Sequence, residues 1–149
     1  KVSNINHIVF VGMGGSGALG DIFSSILSKT NMHIRVVKGY NLPKTVNENT
    51  LVVTISISGN TNETNTVLET ASKLNCKLIA FSSGGKMEKF CKDNNVEFRK
   101  IEKFHSPRAS FPSFLFSILN IFVNFIILKS IIYSSIITKH RQIGDAALF

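Results

Sequence analysis

The sequence predicts an α/β protein built on a parallel β-sheet. Five short runs of β-branched and aliphatic residues alternate with segments of helical periodicity, and a turn rich in Gly or Ser follows three of those runs. Strands and helices that alternate at this spacing form parallel sheets with right-handed crossovers, and such sheets bind ligands at the carboxyl ends of their strands. The predicted strands are Ile5–Val11, His33–Val37, a buried strand beginning at Leu51, Lys77–Ser82 and, at an edge, Val96–Lys100.

Composition indicates one globular domain. The chain has 149 residues, of which 44% are hydrophobic and 17% charged, a balance that supports a sizeable core and excludes disorder. The formal net charge of +8 suits an anionic metabolite, and because the basic residues are spread along the chain, no nucleic-acid partner is indicated. Cys76 and Cys91 match no metal or redox spacing, so we expect no metal site and a reducing, cytoplasmic setting. The chain opens with Lys1 and no signal-peptide pattern, and we expect that it begins inside a longer protein.

The stretch Leu51–Thr64 carries the clearest chemistry. An apolar strand leads into Ser-Ile-Ser-Gly-Asn-Thr and then into a helical segment. Hydroxyl residues ahead of a helix combine side-chain donors with the free N–H groups of the first helical turn, where the helix dipole favours an anion. This pattern predicts a phosphate site formed by Ser56, Ser58 and Thr61. The alternative is an ordinary junction in which Thr61 or Asn62 caps the helix.

A second turn, Gly-Met-Gly-Gly-Ser-Gly, follows the first predicted strand. Its glycines Gly12, Gly14 and Gly17 satisfy Gly-x-Gly-x-x-Gly, the dinucleotide-binding fingerprint, which expects a carboxylate about twenty positions further on. The second predicted strand is followed instead by Lys38, with no carboxylate nearby. The dinucleotide interpretation is therefore disfavoured.

Taken together, these motifs resemble the sugar isomerase (SIS) domain, whose Ser-x-Ser-Gly-x-Thr loop holds the phosphate of a phosphosugar. Four blocks stand in the order of that family: Met-Gly-Gly-Ser-Gly, Ser-Ile-Ser-Gly-Asn-Thr, Ser-Gly-Gly and Pro-Arg-Ala-Ser-Phe-Pro. The resemblance implies a three-layer α/β sandwich with a five-stranded, parallel, flavodoxin-like sheet. It assigns the phosphate to the three hydroxyl residues named above, and it brings the backbone of Gly14 and Gly15 and the hydroxyl of Ser16 next to the sugar.

Arg108 lies between Pro107 and Pro112, two prolines that stiffen its loop. A guanidinium held in this way can bind an oxyanion, and the alternative is an ordinary surface arginine. Pro-Arg-Ala, followed by one residue, an apolar residue and proline, resembles the bifunctional phosphoglucose/phosphomannose isomerases, a subgroup of SIS proteins. By that resemblance Arg108 is a catalytic residue that steadies the negative charge of an enediolate. His105, in the same loop, is expected to be structural.

The resemblance implies an aldose–ketose isomerase that interconverts glucose 6-phosphate or mannose 6-phosphate with fructose 6-phosphate through a cis-enediol. Such enzymes work as dimers of tandem SIS domains, without metal or cofactor. Their general base is a glutamate, aided by a histidine for ring opening, and both come from a second SIS domain outside these 149 residues. Glu63 is expected to compensate the helix dipole instead. We therefore expect weak phosphosugar binding and no turnover from this chain alone. The alternative function is a stand-alone regulatory module that senses a phosphosugar.

Towards its C-terminus the chain contains a nearly continuous apolar run, Phe114–Ile137. A membrane-spanning helix needs about twenty apolar residues, but Asn120 and Lys129 interrupt this run. We expect a helix that packs on the sheet and whose remaining apolar surface contacts a second SIS domain or the second subunit of a homodimer, with no membrane span. Residues 1–137 are expected to form the SIS domain, and residues 138–149 a tail or the start of a linker.

Overall fold

Strands and helices alternate along the chain in the computed structural model, which describes residues 4–106 and 108–123. The expected tail, residues 138–149, and the second half of the apolar run lie outside the described residues. The elements are β1 (His7–Val11), α1 (Gly14–Leu27), β2 (His33–Val37), β3 (Thr50–Ser56), α2 (Asn62–Ser72), β4 (Lys77–Ser82), α3 (Gly85–Asp93), β5 (Glu97–Lys100) and α4 (residues 108–123).

The five strands form one sheet in the order β2-β1-β3-β4-β5, and every neighbouring pair is parallel. This is the order of flavodoxin-like sheets, and it confirms the predicted fold class. β5 lies at an edge, as its charges predict, and Arg99 pairs there with Glu97 at 2.6 Å. The strand order switches between β1 and β3, and the crevice outside the carboxyl ends of these two strands is where sheets of this kind bind ligands.

Helices cover both faces of the sheet and give the predicted three layers. On one face α2 and α3 pack through Val67 and Met87 against Val52 and Ala80. The other face carries the larger core, to which α1 and α4 contribute with the three central strands. Its aromatic residues are Phe10, Phe23, Phe81, Phe114 and Phe122. Both faces of the central strands are buried because apolar side chains alternate between these two cores.

The helix α4 shows how part of the apolar run is accommodated. Phe114, Ile118 and Phe122 recur at helical spacing and are 0%, 0% and 2% exposed, so this stripe faces the sheet. On the outer side Phe116 and Val123 are 66% and 41% exposed. Within residues 4–106 and 108–123, no helix is long and apolar enough to cross a membrane. The expected helix packed on the sheet is thus present as far as residue 123.

A buried histidine at the amino edge of the sheet makes the stability pH-dependent. His7 is 5% exposed, its Nδ1 lies 3.1 Å from Thr50 Oγ1, and its ring centroid is 4.9 Å from that of His33. Burial, and secondarily the charges of His33 and Arg35, lower the pKa of His7 below its ordinary value of 6.5. Below pH 6.5 the unfolded chain therefore takes up a proton that the folded chain resists, and the free energy of unfolding falls.

We expect urea unfolding between pH 7 and pH 5 to show this loss of stability, with a slope that His7→Gln reduces. The matched control is His105→Gln, because His105 is exposed; this substitution should leave the slope unchanged. A slope that is equal in the parent and in His7→Gln would contradict the assignment.

Candidate functional site

A cleft of about 550 Å³ opens at the carboxyl edge of the sheet, above the switch between β1 and β3. Three segments form its walls: the β1–α1 turn, the β3–α2 loop, and the stretch that leads from β5 into α4. Apolar and polar side chains share the lining. The lining residues are Met13, Gly15, Ser16, Ile57, Ser58, Thr61, Lys103, Arg108, Phe111 and Pro112.

The β3–α2 loop brings Ser58 and Thr61 into this cleft, as the sequence predicts for phosphate donors. Ser58 Oγ accepts a hydrogen bond of 3.2 Å from the Asn60 N–H, so the Ser58 hydroxyl proton stays available for a ligand. Thr61 immediately precedes α2, and its side chain makes no capping hydrogen bond. Thr61 therefore occupies the N-cap position of α2 without capping the helix through its hydroxyl. The first N–H groups of α2 lack intrahelical partners, and α2 begins one residue after Thr61.

Ser56, the third predicted donor, lies beneath the loop and outside the cleft lining. It is 1% exposed, and its Oγ accepts the Gly59 N–H at 3.1 Å and lies 3.0 Å from Thr61 Oγ1. Either hydroxyl can donate in the pair of Ser56 and Thr61; when Ser56 donates, the proton of Thr61 is left for a ligand. Ser56 thus orients Thr61 through a hydrogen bond and shapes the turn.

The β4–α3 turn supports the same loop from behind. Asn60 Oδ1 accepts the Lys86 N–H at 3.0 Å, and the carbonyl of Gly59 accepts the Met87 N–H at 3.0 Å. Ser83 Oγ donates to the Ile57 carbonyl at 2.6 Å. The N–H groups at the start of α3 therefore bind the β3–α2 loop. The third Gly/Ser turn of the sequence acts here as a support for the second.

The β1–α1 turn forms the wall next to this loop. Gly15 and Ser16 line the cleft, and Gly14 adopts a φ of +52° just before them, a conformation that favours glycine. A Cβ on Gly12 would lie 2.9 Å from the carbonyl carbon of Ser16 and 3.0 Å from the Ile55 carbonyl oxygen. The glycines thus let the turn lie tightly against β3, which brings the Ser16 region next to the β3–α2 loop.

Two positively charged side chains line the cleft on the side formed by the β5–α4 segment. Arg108, the residue predicted from the Pro-Arg-Ala block, lines the cleft at the beginning of the described part of α4. Lys103 lines it as well, although a single lysine in a polar loop gave no signal in the sequence. His105 is not among the lining residues. Among the described residues, no salt bridge engages either cation.

The chemistry of the lining favours an anion with an apolar or hydroxylated body. None of the described lining residues is a carboxylate, and the two cations meet the hydroxyls of Ser58 and Thr61 across one cleft. No group of three metal-ligating side chains occurs in the described ranges. Burial raises the pKa of the Cys91 thiol to about 11, so this cysteine is a packed, unreactive residue of the core. The arrangement can bind an oxyanion and place an arginine beside it.

Fold and cleft together define a parallel α/β protein with a cleft at its strand switch point that is lined by two cations and two hydroxyl residues. Residues 1–123 match the model of the SIS domain, and the chain belongs to this family. It is 36% identical over 123 residues to a bifunctional phosphoglucose/phosphomannose isomerase of Thermoplasma volcanium, across 83% of this chain and 38% of that protein. It is also 29% identical over 123 residues to a D-glucosamine-6-phosphate 4-epimerase of Sulfolobus acidocaldarius, across 80% of this chain and 39% of that protein.

Solved structures show the same fold. The sugar isomerase domain of the RpiR transcription factor from Sphaerobacter thermophilus superposes with a TM-score of 0.60 at 14% identity, across 91% of this chain and 80% of that chain. By contrast, this chain spans less than half the length of the curated isomerase and epimerase relatives. The SIS fold is therefore a property of this chain, whereas the isomerase and epimerase activities are those of the longer relatives.

Proposed function

We propose that this chain is the phosphosugar-binding half of an aldose–ketose isomerase that interconverts glucose 6-phosphate or mannose 6-phosphate with fructose 6-phosphate. The observation that supports it is the convergence of the Ser58–Thr61 loop and Arg108 on one cleft. The isomerase similarity of the relatives supports the same reaction class. In this proposal residues 1–137 are one SIS domain, residues 138–149 are a tail or the start of a linker, and the protein acts in the cytoplasm as a dimer.

The phosphate is assigned to the β3–α2 loop. Ser58 and Thr61 would donate their hydroxyl protons to phosphate oxygens, together with the free N–H groups at the start of α2. Ser56 would act through Thr61, because their oxygens are 3.0 Å apart. The sugar would extend from there along the backbone of Gly14 and Gly15 and the hydroxyl of Ser16.

Arg108 is assigned to the charge that develops during the reaction. A base removes the proton from C2 of the aldose, which leaves a cis-enediolate, and the same proton returns to C1 as the hydroxyl proton moves from O2 to O1. The guanidinium would stabilise the negative oxygen while it exists. No carboxylate occurs among the described lining residues of the cleft, so the base is assigned to a second SIS domain or to a partner subunit. Accordingly, this chain alone would bind the sugar and not isomerise it.

Titration calorimetry with fructose 6-phosphate tests the phosphate site. The chain should bind with a Kd of about 1 mM, an affinity that corresponds to about −4 kcal/mol. In the double variant Ser58→Ala/Thr61→Ala the Kd should rise at least about tenfold, because each hydrogen bond to a charged group contributes about 1.5–3 kcal/mol.

The matched control is Thr70→Ala/Ser72→Ala, which removes two hydroxyls from the other end of α2, where they bond to helix carbonyls. It should bind like the parent. Equal binding by the parent and by Ser58→Ala/Thr61→Ala would contradict the proposed site, and so would a parent that stays folded and does not bind.

A regulatory module that senses a phosphosugar would use the same cleft, and fold likeness to the domain of a transcription factor fits that alternative. Binding does not separate the two functions. Isomerase activity of the longer protein that contains this chain would support the enzyme, and binding without turnover there would favour the sensor.

A further inference from the structure

We propose that Lys103 determines the charge specificity of the cleft. Its ammonium group is the second positive charge of the cleft, and this charge makes the cleft bind phosphate dianions more tightly than monoanions. This inference rests on the proposed function, because it concerns the same cleft and the same class of ligand. It assigns to Lys103 a specificity role, separate from the hydrogen bonds of the β3–α2 loop and from the enediolate role of Arg108.

The backbone on both sides of Lys103 is fixed. The N–H of Ile101 donates to the Ser82 carbonyl at 2.9 Å, at the end of β4, and the Ile101 side chain is only 5% exposed. On the other side the N–H of Phe104 donates to Ser110 Oγ at 3.0 Å, and Ser110 is fully buried in α4. Only one residue separates Lys103 from the first anchor and none from the second. The lysine is thus held at the cleft wall by the fold.

Ser110 itself is held by a second bond, which makes the attachment firmer. Its hydroxyl donates to the Ser106 carbonyl at 2.9 Å, and Ser106 Oγ accepts the Ala109 N–H at 3.2 Å. The segment that carries Lys103 is therefore bound to α4 by several side-chain hydrogen bonds. A loop fixed in this way loses little conformational entropy when its lysine meets a ligand.

The charge balance of the cleft shows why a second cation matters. The hydroxyls of Ser58 and Thr61 and the N–H groups of α2 are neutral donors, so they attract an anion without cancelling its charge. A phosphate monoester carries about two negative charges at pH 7. Arg108, assigned to the enediolate, brings one positive charge into the cleft and Lys103 a second, and the described lining contains no carboxylate. Among the described residues, neither cation is engaged in a salt bridge, so both charges remain available to a ligand.

The effect of this charge must depend on the charge of the ligand. Coulomb energy is proportional to the product of the two charges. Removing one positive charge therefore costs a bound dianion twice as much binding free energy as it costs a monoanion in the same place. If the lysine had only a structural role, its replacement would weaken the binding of both ligands equally. Glucose 6-phosphate and glucose 6-sulfate form a matched pair for this comparison, since the sulfate ester is a monoanion at neutral pH.

The experiment is the titration of the 149-residue chain with both esters at pH 7.5 and low ionic strength, for the parent, Lys103→Gln and Lys103→Arg. In Lys103→Gln we expect the Kd of glucose 6-phosphate to rise about fivefold and that of glucose 6-sulfate about twofold, a size typical of an ion pair in a half-open site. Lys103→Arg, which keeps the charge, should differ from the parent by less than about twofold.

The control variant is Lys73→Gln, which removes the same charge from the C-terminal end of α2, at the opposite edge of the sheet; it should bind both esters like the parent. An unchanged preference for phosphate over sulfate in Lys103→Gln, or an equal loss in Lys103→Arg, would overturn the inference. If the inference about Lys103 fails in this way but Ser58→Ala/Thr61→Ala weakens binding in the same assay, the proposed function still stands. If neither the parent nor any variant binds glucose 6-phosphate, both proposals fail together.

Discussion

Replacing Gly59 with alanine is expected to lower the free energy of unfolding by about 2–5 kcal/mol and to abolish fructose 6-phosphate binding. Gly59 has a φ of +71°, where a residue with a Cβ costs about 1–2 kcal/mol. A Cβ there would also lie 1.8 Å from the Gly84 carbonyl oxygen and 2.5 Å from Ser82 Oγ, and relieving such a clash adds about 1–3 kcal/mol. The β3–α2 loop would have to move away from its support.

Urea unfolding followed by circular dichroism measures the loss, and Gly39→Ala provides the matched control. A Cβ on Gly39 would meet no heavy atom within 4 Å, so this variant should keep the stability of the parent within about 0.5 kcal/mol. A Gly59→Ala protein as stable as Gly39→Ala would show that the loop and the β4–α3 turn do not interlock as described.

The second large effect is expected in the aromatic core. Phe23 of α1 is fully buried, and its ring centroid lies 5.7 Å from that of Phe10 in β1 and 5.6 Å from that of Phe122 in α4. Truncating a buried phenylalanine removes its contacts and leaves a cavity, at a cost of about 3–5 kcal/mol. Phe23→Ala should therefore lower the free energy of unfolding by this amount in the same assay.

The control for this prediction is Phe116→Ala, which makes the same truncation on the outer side of α4, where the side chain is 66% exposed. It should change the stability by less than about 0.5 kcal/mol. Comparable losses in the two variants would mean that α4 does not present Phe122 to the core and Phe116 to the outside.

The fold followed from the sequence because its signals are local. The central strands are buried on both faces, so they appear as continuous apolar runs such as Leu-Val-Val-Thr-Ile. The glycine and serine turns mark the carboxyl ends of three strands, and this fixes the side on which the cleft opens. Strand ends were less well defined: the first strand was predicted from Ile5 and begins at His7. Ile5 is buried ahead of that strand, and in the sequence a buried apolar residue at this position resembles a strand residue.

The distribution of roles within the cleft could not be read from the sequence. Ser56, Ser58 and Thr61 look alike as hydroxyl residues, and only the fold of the loop directs the Ser56 hydroxyl to Gly59 and Thr61 instead of the cleft. Lys103 belongs to a polar loop with no pattern, and its position depends on a hydrogen bond from the Phe104 N–H to the side chain of Ser110, six residues further along the chain. The sequence therefore predicts which residues lie near the cleft, but not the roles that depend on hydrogen bonds between side chains and other parts of the fold.

The central claim is that a phosphosugar binds with its phosphate on the β3–α2 loop. Amide chemical-shift mapping by ¹⁵N NMR during titration with fructose 6-phosphate tests it most directly. We expect the largest shifts at Ser58, Thr61 and Ser16, all with one Kd, and none around His7 at the opposite edge of the sheet. Shifts centred on that opposite edge, or saturation without movement of the Ser58 and Thr61 signals, would show that the phosphate does not bind at the β3–α2 loop.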